Sequence, residues 1–426
     1  MPANYGNVYE TEFGRFKTDM EGIAVAYRDA MTVLDKHCFD EERALDKFVK
    51  ENDVETVTNE EEIINYLVPH GLEMFFGRVF QRMESARTAD KIVPQSLLIS
   101  LVSTYETFLA GIIRDLLQAK PEICRSFKQS TGAADVFSSI PIEELRANII
   151  DKEMDRFLHE NCSGQLKWIE DTMHVSLREH VDNWPAVVEI SERRNLFAHT
   201  DGVVSQKYVT NCMDAGVQFD PAITPGSHLV VSGDYFTDAW WTLLLAGNEI
   251  GILVWRHSMP AESATVDQFA NAELIVEPTA QKNYVFAQQF GEYMLRLVPT
   301  DTSDLGSAYI RINTARAYRL GGASADCTHI LDGVDWSGSS KMIQLGVRAQ
   351  RGDFDEAIKL MRKLDPLDDV LDVALLEWPV FSEFREFPAF QAAYREVYGE
   401  PNLLTPHTPR PDTVEASPQI SRSRDV

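Results

Sequence analysis

Apolar residues recur at intervals of three and four through almost the whole 426-residue chain, and the alternation that marks half-buried strands is scarce. That period predicts an all-α protein. The strongest segment, PQSLLISLVSTYETFLAGIIRDLLQAK, begins at Pro94, in a first turn where the missing N–H costs nothing, and is expected to stop at Pro121. Upstream, Met20, Ile23, Tyr27, Met31 and Leu34 share one stripe of a helix over 18–50, and a second helical segment over 60–88 is expected to kink or divide at Pro69. Further helices are predicted over 139–160, 163–176, from Pro185 to a glycine stop at Gly202, and from Asp234 to His257. Strand is expected only in short pieces such as Leu229 to Ser232 in the GSHLVVSG loop.

MPAE, directly after this last helix, marks a boundary. Beyond it the chain reads as helical over 265–298 around Pro278, and then two segments resemble each other at a spacing of 31 residues, INTARAYRLGGASADCTHIL from Ile312 and IQLGVRAQRGDFDEAIKLM from Ile343. In each, a helix ends in glycine (Gly321, Gly352) and a second helix follows a short turn. RGDFDEAIKLMRKL looks like the second half of a tetratricopeptide repeat, in which the alanine packs tightly against a neighbouring helix. Four regions follow: an acidic amino-terminal helical region (1–90), a helical bundle (91–258), a helical-hairpin array (259–400) and a tail from Pro401, rich in Pro, Ser and Thr, expected to be disordered.

Hydrophobic residues make up 44% of the chain, enough for large cores, so a mainly disordered protein is excluded. The net charge of −26 opposes any general coating of nucleic acid or anionic lipid. It is unevenly spread: residues 61–130 carry 8 acids and 8 bases, whereas 211–300 carry 10 acids and 3 bases. The five cysteines (Cys38, Cys124, Cys162, Cys212, Cys327) are far apart, with no CxxC, and fit neither a disulfide framework nor a zinc site. The amino terminus lacks an apolar core, and WWTLLLAGNEIGILVW is too short and too polar at Asn248 and Glu249 to span a bilayer. A soluble, cytoplasmic protein with no membrane partner is the expectation.

Phosphate-loop, dinucleotide-fold, HExxH and GxSxG signatures are absent. His174 and His180 stand six apart, off one helical face, so no metal site and no cofactor are expected. What remains is Arg194-Asn195-Leu196-Phe197-Ala198-His199 at a helix end. Arginine offers a fixed fork of donors to a phosphate, and histidine transfers protons near neutral pH. Residues five apart lie about 140° around a helix, so a shared site requires the helix to end and bend between them. The plainer alternative is that Arg194 caps its helix or pairs with Glu189 or Glu192, with His199 favoured by the helix dipole. In the central helix Leu97, Leu101, Tyr105, Phe108 and Ile112 form one apolar stripe, and Ile99, Val102, Ile113 and Leu117 a second. Glu106 sits inside the second. A carboxylate there needs a donor, and Arg193 or Arg194 are the candidates unless Glu106 reaches water.

LVSTYETFLAGIIRDLL, followed about 80 residues later by ERRNLFAHTDGVVSQKYV, resembles the HEPN superfamily, particularly the prokaryotic HEPN proteins of toxin and anti-phage systems. The resemblance covers roughly residues 91–258 and implies a four-helix core with an R-x4–6-H motif, here Arg194, Asn195 and His199, and a polar position in the earlier helix, here Glu106. It implies a metal-independent endoribonuclease acting as a homodimer. In the implied mechanism the RNA 2′-hydroxyl attacks its own phosphate, His199 serves as general base or acid, Arg194 stabilises the phosphoryl charge, Asn195 positions phosphate or imidazole, and Glu106 orients Arg194. The substrate would be RNA, including transfer RNA or another structured RNA. One Arg-His pair supplies a single proton-transfer group, hence the expected homodimer. The alternative is a non-catalytic helical adaptor that dimerises through this core and grips a protein partner with its repeat half and WPVFSEFREF aromatics.

Overall fold

In the computed structural model, which describes residues 6–58, 64–120, 122–123, 141–301, 304–364 and 374–399, the chain is mostly helical, and its strands form one small hairpin among the described residues. The chain divides into two compact units, Met1–Val266 and Asp267–Val426. The Pro-rich tail and Cys124 lie outside the described residues.

The first unit starts with helix α1 (Gly6–Glu51), strands β1 (Glu55–Thr58) and β2 (Ile64–Leu67), and helix α2 (Glu73–Ala119). β1 and β2 pair antiparallel with Glu55 opposite Leu67, so within the span expected as helix over 60–88 the residues Ile64–Leu67 are strand and the helix begins only at Glu73. Arg82 Nε donates to Glu41 at 3.0 Å, Arg87 Nη2 to Glu42 at 2.8 Å, and the rings of Phe16 and Phe108 stack at 4.2 Å, which fixes α1 and α2 as antiparallel partners. The helix does not open at Pro94: the proline is a buried interior residue of α2. A proline there removes one backbone hydrogen bond and costs about 3 kcal/mol. The buried run Leu98, Leu101, Val102, Tyr105, Phe108, Leu109, Ile112, Ile113, Leu116 and Leu117 offsets that several times over. Leu98, not Leu97, heads the buried stripe.

Helices α3 (Ile142–His159), α4 (Cys162–Met173), α5 (Trp184–Thr200), α6 (Gln206–Asp214) and α7 (Gly233–Ser258) complete the unit. α2 packs against α1, α3, α5 and α7, so the amino-terminal helix belongs to the same core as the bundle. By length and composition α2 also carries an 18-residue stretch, mean hydropathy 1.6, apolar enough to cross a membrane, more so than the run in α7. α7 is buried on every face from Thr242 to Trp255. Gly247 and Gly251, one turn apart, let α1 approach: a Cβ at either would stand 2.7 Å from the ring tip of Phe16 or Phe13 respectively. The expected strand at Leu229–Ser232 is absent; Val203 and His228 form an isolated bridge instead.

The second unit contains α8 (Ser263–Asn271, entering from the first unit), a π turn (Ala272–Val276) before the Pro278 region, and α9 (Glu277–Ala280) and α10 (Tyr284–Leu297). α11 (Leu305–Leu320) and α12 (Ser324–Asp332), then α13 (Lys341–Arg351) and α14 (Phe354–Met361), are the two similar helical hairpins. Their turns match at 30 residues rather than 31. Gly322 and Gly352 hold the left-handed conformation (φ +86° and +80°), whereas Gly321 has φ −76°. Ala323 N donates to Tyr318 O and Asp353 N to Arg348 O, the same helix-closing bond in each. Ala357 is fully buried in the apolar cluster that joins these hairpins to Phe381, Phe384 and Phe390.

Candidate functional site

α5 positions the site. Pro185 sits in its first turn, and it closes with Asp201 and Gly202 both in the left-handed region, φ +52° and +84°. The helix does not end between Arg194 and His199, as the 140° argument required, but runs on to Thr200. Both residues nevertheless line one cleft of about 420 Å³, because the cleft is broad enough to span that arc of the helix.

Alternate residues of α5 are held by different neighbours. Arg193 Nε donates to Glu189 at 2.7 Å and its guanidinium lies 3.9 Å above the Tyr235 ring. Glu189 also accepts from Tyr208 Oη at 2.6 Å and Tyr235 Oη at 2.8 Å, so one carboxylate fastens α5 to α6 and α7. Burial and the adjacent carboxylate push both phenols up, keeping them donors. Arg194, one step around the helix, turns the other way and pairs through Nη2 with Glu106 of α2. The apolar-stripe argument anticipated this partner, and the choice falls on Arg194 rather than Arg193. Burial pushes the Glu106 carboxyl up, and the charge and hydrogen bond of Arg194 oppose that rise. Glu192, the other acid considered for Arg194, accepts instead from Asn211 Nδ2 at 2.9 Å.

Glu106, Arg194, Asn195 and His199, widely separated or on different faces in sequence terms, therefore meet at one cleft. Around them stand residues that the sequence reading did not single out: His159, Ser191, Lys207, Tyr208 and Cys162. No local motif marks them, since they come from α3, α4, α5 and α6. Arg194 Nε is buried and meets no hydrogen-bond partner among the described residues, whereas the Ser191 hydroxyl lies beside the Cys162 thiol. Two helix starts border the cleft, capped by Asn161, which accepts from Gly164 N at 2.9 Å, and by Ser205, which accepts from Tyr208 N at 3.1 Å. Their dipoles favour an anion. Burial pushes the Cys162 thiol up to about 12, so this wall of the cleft presents a protonated thiol at neutral pH and not a nucleophile.

The permanent charges do not make the cleft basic. Arg194 and Lys207 face Glu106, Glu160 and Glu192. Two of these acids are engaged, Glu106 by Arg194 and Glu192 by Asn211. Glu160 directly precedes the Asn161 cap, at the positive end of α4. Permanent positive charge for an anion would come from Arg194 and Lys207. Among the described residues no group of three or more His, Cys, Asp or Glu is arranged to hold a metal ion. His174 and His180 lie apart from this cleft. No family model, curated protein or solved structure matches the chain.

Proposed function

We propose that the chain is a metal-independent endoribonuclease of HEPN type, a cytoplasmic toxin or anti-phage effector that cleaves RNA by attack of the 2′-hydroxyl on the adjacent phosphate. The observation that carries the reading is the meeting of Arg194, Asn195 and His199 with Glu106 in one cleft, where the buried Arg194 Nε has no hydrogen-bond partner among the described residues. In this reaction Arg194, oriented by Glu106, stabilises charge on the non-bridging oxygens, and His199 transfers a proton. Asn195 lies about 40° around α5 from His199, close enough to position the imidazole or the phosphate. A homodimer through the first unit belongs to the proposal as an assembly.

The test is cleavage of labelled RNA by the purified chain. Arg194→Ala and His199→Ala are each expected to lower the rate by about 10² to 10⁴-fold with unchanged helicity, and EDTA to leave it unaltered. Cleavage that persists in His199→Ala, or that needs a divalent metal, rejects the mechanism.

A second reading, a non-catalytic adaptor that binds a protein through its helical hairpins, is favoured by one observation: three carboxylates stand against two permanent cations in the cleft. Under it the same substitutions leave RNA untouched, and changes in the second unit abolish partner binding.

A further inference from the structure

Cleavage of this kind needs two proton transfers, one from the 2′-hydroxyl and one to the departing 5′-oxygen. Arg194 supplies neither, because a guanidinium stays protonated. The sequence motif contains one imidazole, which is why a second chain was expected to bring the other.

The same cleft of the same chain holds a second imidazole. His159 is the last residue of α3, two positions before the cap of α4, so the corner between these helices holds it in the lining of the same cleft. Its Nδ1 lies 2.6 Å from the Asp155 carbonyl oxygen. A carbonyl only accepts, so Nδ1 carries the proton and Nε2 carries the lone pair in the neutral ring. His199, at the cleft rim, makes no hydrogen bond to a described residue that would fix its tautomer.

We infer that His159 and His199 of one chain form a complete base and acid pair for RNA cleavage, so that the chemistry needs no residue from a second copy. The inference rests on the ribonuclease reading of this cleft. His159 Nε2 takes the proton of the 2′-hydroxyl as the O2′–P bond forms. The P–O5′ bond breaks, and protonated His199 delivers its proton to O5′. The products are a 2′,3′-cyclic phosphate and a 5′-hydroxyl, and the two rings end with protonation states exchanged, to be reset by water. The protons balance and no co-reactant is required. Arg194 and Lys207 are the cations of the cleft left for the non-bridging oxygens.

The experiment uses the full chain with two probes: fluorophore-labelled single-stranded RNA, and uridine 3′-(4-nitrophenyl phosphate), whose leaving group departs without a proton. His159→Gln, which keeps an N–H for the Asp155 carbonyl, and His199→Gln are assayed singly and mixed. On RNA each is expected to fall about 100-fold or more. On the aryl ester His159→Gln stays down about 100-fold, whereas His199→Gln recovers to within about tenfold of wild type, a split that a merely structural role would not produce. Mixing the two variants restores nothing, since every chain lacks one half of the pair. Wild-type RNA cleavage by His159→Gln overturns the pair while leaving the Arg194 and His199 reading standing. Recovery on mixing places acid and base on different chains and overturns it too. A wild-type chain inert toward both probes overturns this inference together with the ribonuclease reading.

Discussion

Replacing Glu189 by glutamine tests whether one carboxylate holds α5 in place. The side chains of Glu189 and Arg193 are each 12% exposed, so their ion pair escapes most of the solvent screening that weakens surface pairs. Glutamine has a similar shape but only one acceptor oxygen, whereas Glu189 accepts from Arg193, Tyr208 and Tyr235 together. The Arg193 guanidinium loses its counter-charge, at about 3 kcal/mol for a buried pair broken on one side. A lost hydrogen bond to a charged group adds about 1.5 kcal/mol, partly recovered where a tyrosine hydroxyl rotates to accept from the new amide. The expected loss is therefore about 3 to 4 kcal/mol. Urea unfolding followed by tryptophan emission reads it, because five of the seven tryptophans lie within residues 1–266. In a thermal scan it amounts to about 6 to 16 °C. The double variant Glu189→Gln with Arg193→Met should lose less than the sum of the singles, since the orphaned charge is gone. A change below about 0.5 kcal/mol with an unaltered urea slope refutes the reasoning.

Gly247→Ala is expected to cost about 1 to 3 kcal/mol in the same assay, because its methyl would meet the Phe16 ring at 2.7 Å, and Phe16→Leu in the same chain should return part of it. The Asp115 carboxyl is pushed up to about 6, first by burial and then by Glu12, against Arg15 and Arg114. A raised folded value means that its stabilising share is full below about pH 4, the unfolded value, and is lost as pH rises through about 6. Asp115→Asn should therefore raise the melting temperature at pH 8 and leave it nearly unchanged at pH 4; equal shifts at both would contradict the assignment. Iodoacetamide at pH 7.5 should alkylate partly exposed Cys38 and spare buried Cys162, Cys212 and Cys327, the difference resting on access because burial and nearby carboxylates push the Cys38 thiol up as well, as peptide mass mapping would read.

Of the helices that carry the site, α2, α3, α4 and α5 were legible in the chain because each repeats an apolar face over three turns or more. The Glu106 to Arg194 pairing was legible for a related reason: a carboxylate set in an apolar stripe demands a cation on whatever packs there. What escaped had weaker local signals. The hairpin at Glu55–Leu67 is two four-residue strands with mostly exposed side chains, too short and too polar to set a period. α6 spans nine residues and buries only Tyr208 and Cys212, too short a face for a helix to be predicted there. Pro94 read as a beginning because backbone chemistry favours that place, whereas the burial gained on both sides of it decides otherwise. His159 and Lys207 carry no motif, and only the folding of α3 and α6 around α5 brings them to the cleft.

Gly247 and Gly251 set the smallest piece of this protein that can be prepared in isolation. A fragment beginning near residue 91, the limit that the motif alone would suggest, removes Phe13 and Phe16 from the slots that the two glycines leave in α7. That trench, floored by Gly247 and Gly251 and walled by Tyr105 and Phe108, would then stand open to water as a continuous apolar furrow. Such a fragment would self-associate through the furrow, and any dimer seen with it would report the missing helix rather than the native assembly.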